Sequence, residues 1–194
     1  MIVVLIVVGL AVILGLAWIL IRNSIIASRN RVDEAWSGID VQLKRRHDLV
    51  PNLVESVKGY ATHERETFEK VTQARSQAMQ AQGVQETSQA ESALSSALGN
   101  LRVVAEQYPD LRATENFQQL QQQLSELEDE IQAARRIYNS NVQSYNTKIQ
   151  QFPVSIVANQ GNFTDREFFE IEDAAEREVP QVDFSGQAAK PPAG

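Results

Sequence analysis

The sequence contains no cysteine, and only two of its 194 residues are histidines. Disulfide bonds, thiol catalysis and cysteine-based metal sites are therefore excluded, and a histidine-rich metal site has too few ligands. Glycine and proline are scarce as well, with nine and six residues. The middle of the chain is rich in Gln, Glu, Ala, Ser and Leu, so the composition favours helices over sheets.

The usual sequence patterns of catalytic sites are also missing. There is no Gly-rich phosphate loop, no Gly-x-Ser-x-Gly and no His-Glu-x-x-His, and the stretch HERE at residues 63–66 lacks the second histidine of a zinc site. Neighbouring carboxylates such as Glu128 and Asp129 fall on a polar helix face, which favours solvated side chains over a catalytic pair. We therefore expect no enzyme activity, no cofactor and no bound metal.

What the chain does have is a long apolar start. Residues 1–21 include no charged side chain, and about 20 apolar residues at ~1.5 Å each span a bilayer core of ~30 Å. Trp18 lies near one end, where an indole prefers the membrane interface. A cleaved signal peptide is the alternative, but no basic region precedes this stretch and no clear small-residue cleavage site follows it. We expect a permanent single-pass anchor.

Charge after the anchor predicts its orientation and its partners. No Lys or Arg precedes the span, whereas Arg22, Arg29 and Arg31 follow it. Positive residues are retained on the cytoplasmic side, which predicts an inner-membrane protein with its N-terminus outside and its body in the cytoplasm. Residues 22–82 carry a net charge of plus two and residues 83–194 one of minus nine. That acidic balance argues against nucleic acid as a partner.

Three apolar stripes with helical spacing follow the anchor. The first covers residues 25–82 almost without interruption, and the second runs from about Ser88 to Glu106 after a polar turn at residues 82–89. Pro109 is expected to end the second helix. The third begins at Thr114, a suitable N-cap, and repeats apolar residues every three or four positions as far as Phe152, before Pro153. It predicts one helix of roughly 50 Å.

The stretch LKRRHDLVPNL at residues 43–53 lies inside the first stripe. Proline cannot donate a backbone hydrogen bond, so Pro51 should either break the helix or kink it and free carbonyls near Arg46 and His47. Apolar residues keep their seven-residue phase across Pro51, which predicts one kinked helix. A metal site at His47 and Asp48 is disfavoured, because adjacent helical residues point in different directions.

Arg46 is the residue that this pattern explains least, since it falls on the apolar phase. One interpretation is that its stem packs while its head reaches solvent or an acid on another helix. The other interpretation is a buried ion pair between Arg46 and a carboxylate, which fixes helix register. Glu128 and Glu130 are the candidate carboxylates, because both lie near the middle of the long third helix.

Two Tyr-Asn pairs mark the third stripe. Tyr138 and Tyr145 are seven residues apart, as are Asn139 and Asn146, so each pair lies on one helix face. A buried tyrosine needs a partner for its hydroxyl, and an asparagine beside a helix seam can fix register. These residues either specify packing inside the bundle or line a groove for a partner.

Two stretches form a longer pattern: NRVDEAWSGIDVQLKRRHDLVPNLVESVKGYATHERETFEKVTQARSQA and, later in the chain, YNSNVQSYNTKIQQFPVSIVA. Together they resemble the LemA family of bacterial membrane proteins. The resemblance covers most of residues 30–169 behind the apolar start. It implies an all-α fold, with an N-terminal transmembrane helix followed by an antiparallel bundle of long helices. It implies no particular reaction.

These observations predict four parts. They are an anchor at 1–22, a helical bundle at 23–160, an aromatic and acidic segment at 161–178 and a disordered tail at 179–194. The expected function is a membrane-anchored scaffold or adaptor for membrane or cytoplasmic proteins. The alternative is a self-assembling, membrane-organising or membrane-shaping protein, which forms homo-oligomers or dips the segment from Phe163 to Ile171, with Phe168 and Phe169, into lipid headgroups.

Overall fold

The computed structural model describes residues 1–170, and within that range it consists of six helices and no strand. The helices are α1 Ile2–Lys58, α2 Arg65–Gln80, α3 Gly83–Glu106, α4 Pro109–Arg112, α5 Glu115–Gln150 and α6 Val154–Gln160. A non-helical segment at residues 163–170 follows α6. The all-α prediction is confirmed, whereas Ile171 and the tail predicted at 179–194 lie outside the described residues.

The long helix α1 joins the apolar start to the bundle without interruption. Its residues 2–20 are exposed and highly apolar, and among the described residues α1 is the one helix long and apolar enough to cross a membrane. From Ile25 onward a buried stripe appears on the same helix, so the candidate anchor and the bundle core share one rigid element.

Two helix pairs form the bundle. The long helices α1 and α5 run antiparallel along their shared length, while α2 and α3 form a shorter hairpin against the far half of α1. One apolar core lies near the anchor, between α1, α5 and α6, and includes Ile39, Ile131 and Val142. A second lies at the far end, between α1, α2, α3 and the start of α5, and includes Leu53, Val71 and Leu101.

The first predicted helix is partly wrong. As expected, α1 continues through Pro51, but it ends at Lys58, and a turn at residues 59–64 precedes α2. The stripe concealed this turn because Ala61 is completely buried within it and keeps the apolar spacing in phase. Tyr60, predicted to be in the stripe, is 46% exposed.

The polar turn predicted at 82–89 is also wrong. Helix α3 begins at Gly83, where φ is 78°, a left-handed conformation that suits glycine. Most of the polar residues that suggested a turn are exposed on α3, and two of them face the bundle. Thr87 and Ser88 are both less than 10% exposed, and the Thr87 hydroxyl donates to the Gly83 carbonyl at 2.6 Å.

The helix ends near Pro109 and Thr114 agree with prediction. Helix α3 ends at Glu106, before Pro109, and α5 begins at Glu115 with Thr114 at its N-cap position. The Thr114 hydroxyl donates to the Leu111 carbonyl at 2.7 Å instead of capping α5. At the other end α5 stops at Gln150, and Phe152 is 83% exposed, so its predicted place in the core is wrong.

Candidate functional site

A buried layer of charged residues separates the two apolar cores, and Arg46 lies at its centre. The Arg46 side chain is fully buried. Its Nη1 atom donates to Glu91 Oε2 on α3 at 3.1 Å, and its Nη2 atom lies 3.1 Å from Glu128 Oε1 on α5. Nη2 also donates to the Ser95 hydroxyl at 2.7 Å. Of the two interpretations of Arg46, the structure shows the buried ion pair.

The second charged contact of this layer joins His47 to Glu91. His47 Nε2 lies 2.6 Å from Glu91 Oε1, and the Glu91 side chain is completely buried. Glu91 therefore takes one hydrogen bond on each oxygen from two consecutive residues of α1. Burial is the main influence on Glu128 and raises the pKa of its carboxyl, although the Arg46 guanidinium opposes this shift. Glu130, the other predicted partner, contacts exposed Arg45 at 3.5 Å.

Pro51 connects this layer to α2. Proline has no N–H, so the carbonyl four residues earlier, that of His47, has no partner within its own helix. Arg75 of α2 supplies one, because its Nε atom donates to the His47 carbonyl oxygen at 2.6 Å. Helix α1 thus continues through Pro51, and the His47 carbonyl that the proline leaves unpaired docks the α2–α3 hairpin beside Arg46.

An open groove passes over the charged layer between α3 and α5. It has a volume of about 450 Å³. Its walls include Ser92, Gly99 and Gln121, and Arg46 and Glu128 contribute to its surface at one end. The small residues Ser92 and Gly99 on α3 leave the space between the two helices unfilled here.

Asn139 and Asn146 hold the segment at residues 163–170 against α5, an arrangement that we call the asparagine clamp. Asn139 donates from Nδ2 to the Phe169 carbonyl at 3.1 Å and accepts from the Phe169 amide at 2.9 Å. Asn146 does the same with Arg166, at 2.9 and 2.8 Å. Each side-chain amide therefore satisfies both backbone groups of one residue, as a neighbouring strand would.

The spacing of the clamp explains why the held segment is extended. Seven residues of helix rise about 10.5 Å. The three residues from Arg166 to Phe169 must cover that distance, which requires nearly the full reach of ~3.3–3.6 Å per residue. The Tyr-Asn repeat thus matches a nearly extended chain, and its asparagine hydrogen bonds go to the backbone of that chain.

Aromatic residues complete the clamp. Phe169 is completely buried, with its ring centroid 5.5 Å from that of Trp36, and Trp36 also lies 5.4 Å from Tyr138. The Tyr138 hydroxyl donates to the Glu167 carbonyl at 2.9 Å. Burial raises the pKa of both Tyr138 and Tyr145, which favours their neutral form. Phe169 fills the bundle core and is not available to dip into lipid.

The residues singled out from sequence fall into two places. Arg46, His47 and Pro51 belong to the charged layer, whereas Tyr138, Asn139, Tyr145 and Asn146 line the clamp. Asp48 is exposed and belongs to neither. No group of residues suited to a metal ion occurs within residues 1–170.

Glu91 and Arg75 were missed. Glu91 lies in a small and polar stretch of α3 and was not singled out, although its helical spacing from the buried Leu94, Leu98 and Leu101 places it on their face. The sequence could not predict the role of Arg75, because no local pattern pairs its side chain with the carbonyl of a residue 28 positions earlier.

Comparisons with known proteins identify the family of this chain. The model of the LemA family matches residues 35–184. Protein LemA of Metamycoplasma hominis is 35% identical over 166 residues, which cover 84% of this chain and 74% of that protein.

Two magnetosome proteins are more distant relatives. Magnetosome protein MamQ 2 of Paramagnetospirillum magneticum is 24% identical over 89% of this chain and 74% of its own. Magnetosome protein MamQ of Magnetospirillum gryphiswaldense is 22% identical over 75% of this chain and 64% of its own. The family model covers most of the bundle, including the charged layer and the clamp, and the chain belongs to the LemA family.

Proposed function

We propose that this protein is a non-catalytic scaffold of the inner membrane, which holds other proteins at the cytoplasmic face through its helical bundle. Residues 1–21 span the bilayer with the N-terminus outside, because the positive charge that follows them favours a cytoplasmic body. The bundle binds membrane or cytoplasmic proteins and no nucleic acid.

The observation that carries this proposal is the continuity of α1. A single helix of 57 residues forms both the apolar span and the buried stripe of the bundle. At ~1.5 Å per residue it is about 85 Å long, of which about 55 Å lies beyond the span. A stiff arm of this kind presents binding surfaces at a fixed height above the membrane, a property that a scaffold requires and catalysis does not.

The clamp suggests where a partner binds. Beside the held segment lies a groove of about 580 Å³, lined by Gln85, Ser88 and Gln89 of α3 and by Phe168 and Glu170. Phe168 is 43% exposed and lines this groove. An accessible aromatic ring beside polar side chains is a common feature of protein-binding surfaces.

Photo-crosslinking in the native membrane tests the proposal. The full-length chain would carry a photoreactive amino acid in place of Phe168, with a matched control in place of Val103, which is 58% exposed on the far part of α3. We expect the same heterologous protein in repeated experiments at position 168 and not at position 103. Adducts at neither position would contradict the adaptor role.

The same experiment tests a second candidate function, a self-assembling protein that organises membranes. It is favoured by the similarity to two magnetosome proteins, although those matches are 24% and 22% identical. Under this alternative, position 168 would yield ladders that contain this chain alone.

Orientation needs a separate measurement. Because the chain has no cysteine, Glu55→Cys gives a single thiol on an exposed face of α1, where the Glu55 side chain is 70% exposed. A membrane-impermeant maleimide should label this thiol only after the inner membrane is opened. Labelling in intact cells would place the bundle on the opposite side.

A further inference from the structure

The end of the bundle nearest the anchor exposes two large apolar side chains. Phe152 is 83% exposed in the connection after α5, and Ile156 is 60% exposed on α6. Between them lies Pro153, itself exposed, while Val157 and Ala158 on the opposite side of α6 are buried against the bundle. The short helix α6 therefore has a packed side and an apolar outward side.

The register of α1 and α5 shows the height of this apolar tip. Asn141 of α5 donates to the Arg31 carbonyl at 3.4 Å, and Lys148 donates to the Ser24 carbonyl at 3.4 Å. These two contacts are seven residues apart on both helices, so each residue further along α5 lies level with one residue earlier on α1. By extrapolation Phe152 lies level with Leu20, at the end of the uncharged stretch.

Contacts between α6 and the anchor support the same height. Trp18 donates from Nε1 to Gln160 Oε1 at 3.0 Å, and the Arg22 guanidinium carbon lies 5.4 Å from the centroid of the Trp18 ring. Tryptophan beside an arginine at the end of an apolar helix is the arrangement expected at a bilayer interface. Gln160 of α6 is therefore held at interface height.

We propose that the tip formed by Phe152 and Ile156 rests in the interfacial layer of the bilayer that α1 spans, so that the bundle contacts the membrane at a second point beside its anchor. This inference rests on the transmembrane anchor of the proposed function. The partner is lipid: the apolar side chains meet the boundary between acyl chains and headgroups, and Arg22 and Lys148 lie at the height of the phosphates. Burial of exposed apolar surface supplies the driving force.

This contact would restrain the direction of the bundle. A single helix that crosses a bilayer is free to tilt, with an average of about 20° and a wide range. A second membrane contact, displaced from α1 by the width of α5 and α6, opposes any tilt of α1 that would lift the tip out of the bilayer interface. The stiff arm would then keep the charged layer and the clamp at a defined height and facing a defined side.

Single-cysteine spin labels in proteoliposomes test this inference, and the cysteine-free chain needs no prior substitution. Labels at Phe152→Cys and Ile156→Cys would be compared with labels at Ile137→Cys and Leu10→Cys. Ile137 is the matched control, because it is 60% exposed on the same helix as the residues leading to Phe152 and about 22 Å further from the span. Leu10, 57% exposed, reports the anchor itself.

The measurement is the ratio of collisions with oxygen, which concentrates in lipid, to collisions with a water-soluble nickel chelate. We expect positions 152 and 156 to show a ratio several-fold above that of position 137 and below that of position 10. A ratio at 152 and 156 equal to that at 137 would overturn the tip contact while leaving the anchor intact. Low collision rates with both reagents would also overturn it, since a protein surface would then cover the tip. A water-like ratio at position 10 would reject the anchor and the contact together.

Discussion

Replacing Glu91 by glutamine tests whether the buried charges hold the bundle together. Glutamine keeps the shape of the side chain and removes its charge. In the wild type, the two Glu91 oxygens lie 3.1 Å from Arg46 Nη1 and 2.6 Å from His47 Nε2, and the Glu91 side chain has no exposure. In the variant, the buried guanidinium loses the Glu91 carboxylate and keeps that of Glu128, and the imidazole loses its contact with a carboxylate.

The size of the effect follows from what remains around Arg46. Breaking a buried ion pair by removing one partner costs about 3–5 kcal/mol. Glu128 stays 3.1 Å from Arg46 Nη2 and still offsets part of its charge, so we expect about 3 kcal/mol, the lower end of that range. In a chain of this size that loss lowers the melting temperature by about 6–12 °C.

Urea denaturation of the full-length chain in mild detergent micelles, followed by far-ultraviolet circular dichroism, measures this loss. The matched control is Glu106→Gln on the same helix, where Glu106 makes an exposed pair with Arg102 at 3.7 Å. Its loss should stay within about 0.5 kcal/mol. A double variant, Arg46→Met with Glu91→Leu, should be clearly more stable than the sum of its single variants predicts, because it leaves fewer charges uncompensated.

Two results would refute this reasoning. A Glu91→Gln variant that loses less than about 1 kcal/mol would mean that water reaches the charged layer and screens it. The second is additivity: if the stability loss of the double variant equals the sum of the losses of Arg46→Met and Glu91→Leu, the two residues do not interact.

Three further predictions concern the proline, the clamp and the pH dependence of stability. Arg75→Met should cost about 1–3 kcal/mol in urea denaturation, because it leaves a buried carbonyl unpaired, and should cost much less in a Pro51→Ala background, where the new amide satisfies that carbonyl. Asn139→Ala removes two hydrogen bonds of about 1 kcal/mol each and should raise the initial rate of trypsin cleavage after Arg166 by roughly tenfold or more, measured by mass spectrometry, with Asn141→Ala as the control. Burial raises the pKa of Glu128, so between the ordinary and the raised value the folded state keeps a proton that the unfolded state has lost. The stability that this group contributes should therefore fall as pH rises through that window. Urea denaturation at a series of mildly acidic to neutral pH values should show the stability of the wild type declining relative to that of Glu128→Gln.

The parts of the fold that sequence predicted are those determined by local pattern. The uncharged start, the break before Pro109 and the beginning of α5 at Thr114 each follow from residues adjacent in the chain. The passage of α1 through Pro51 also followed from pattern, since Val50 and Val57 keep one phase on either side of it. In each case the signal and the structure it determines lie within one or two helical turns.

The failures share the opposite property. In the turn after Lys58, Ala61 is buried at the position where a continuing helix would also place an apolar residue. The spacing of apolar residues therefore could not reveal the turn. Glu91 was missed because its partners are 44 and 45 residues away in sequence. The role of Asn139 depends on a segment 30 residues later that carries no repeat of its own. Each of these features depends on contacts between distant parts of the chain, which periodicity does not record.

Long apolar stripes leave a choice of register open, and the charged layer removes it. On α5, Ile131, Tyr138 and Tyr145 are seven residues apart, so sliding α5 along α1 by seven residues, about 10.5 Å, would still bury an apolar stripe. Such a slip would place either Gln121 or Arg135 opposite Arg46 in place of Glu128. With Gln121 opposite it, the buried Arg46 cation loses part of its compensating charge. With Arg135 opposite it, two cations lie together. Either change costs far more free energy than the difference in apolar packing between the registers. Because the candidate anchor belongs to the same helix as Arg46, this choice of register also fixes the distance between the clamp and the membrane end of the bundle.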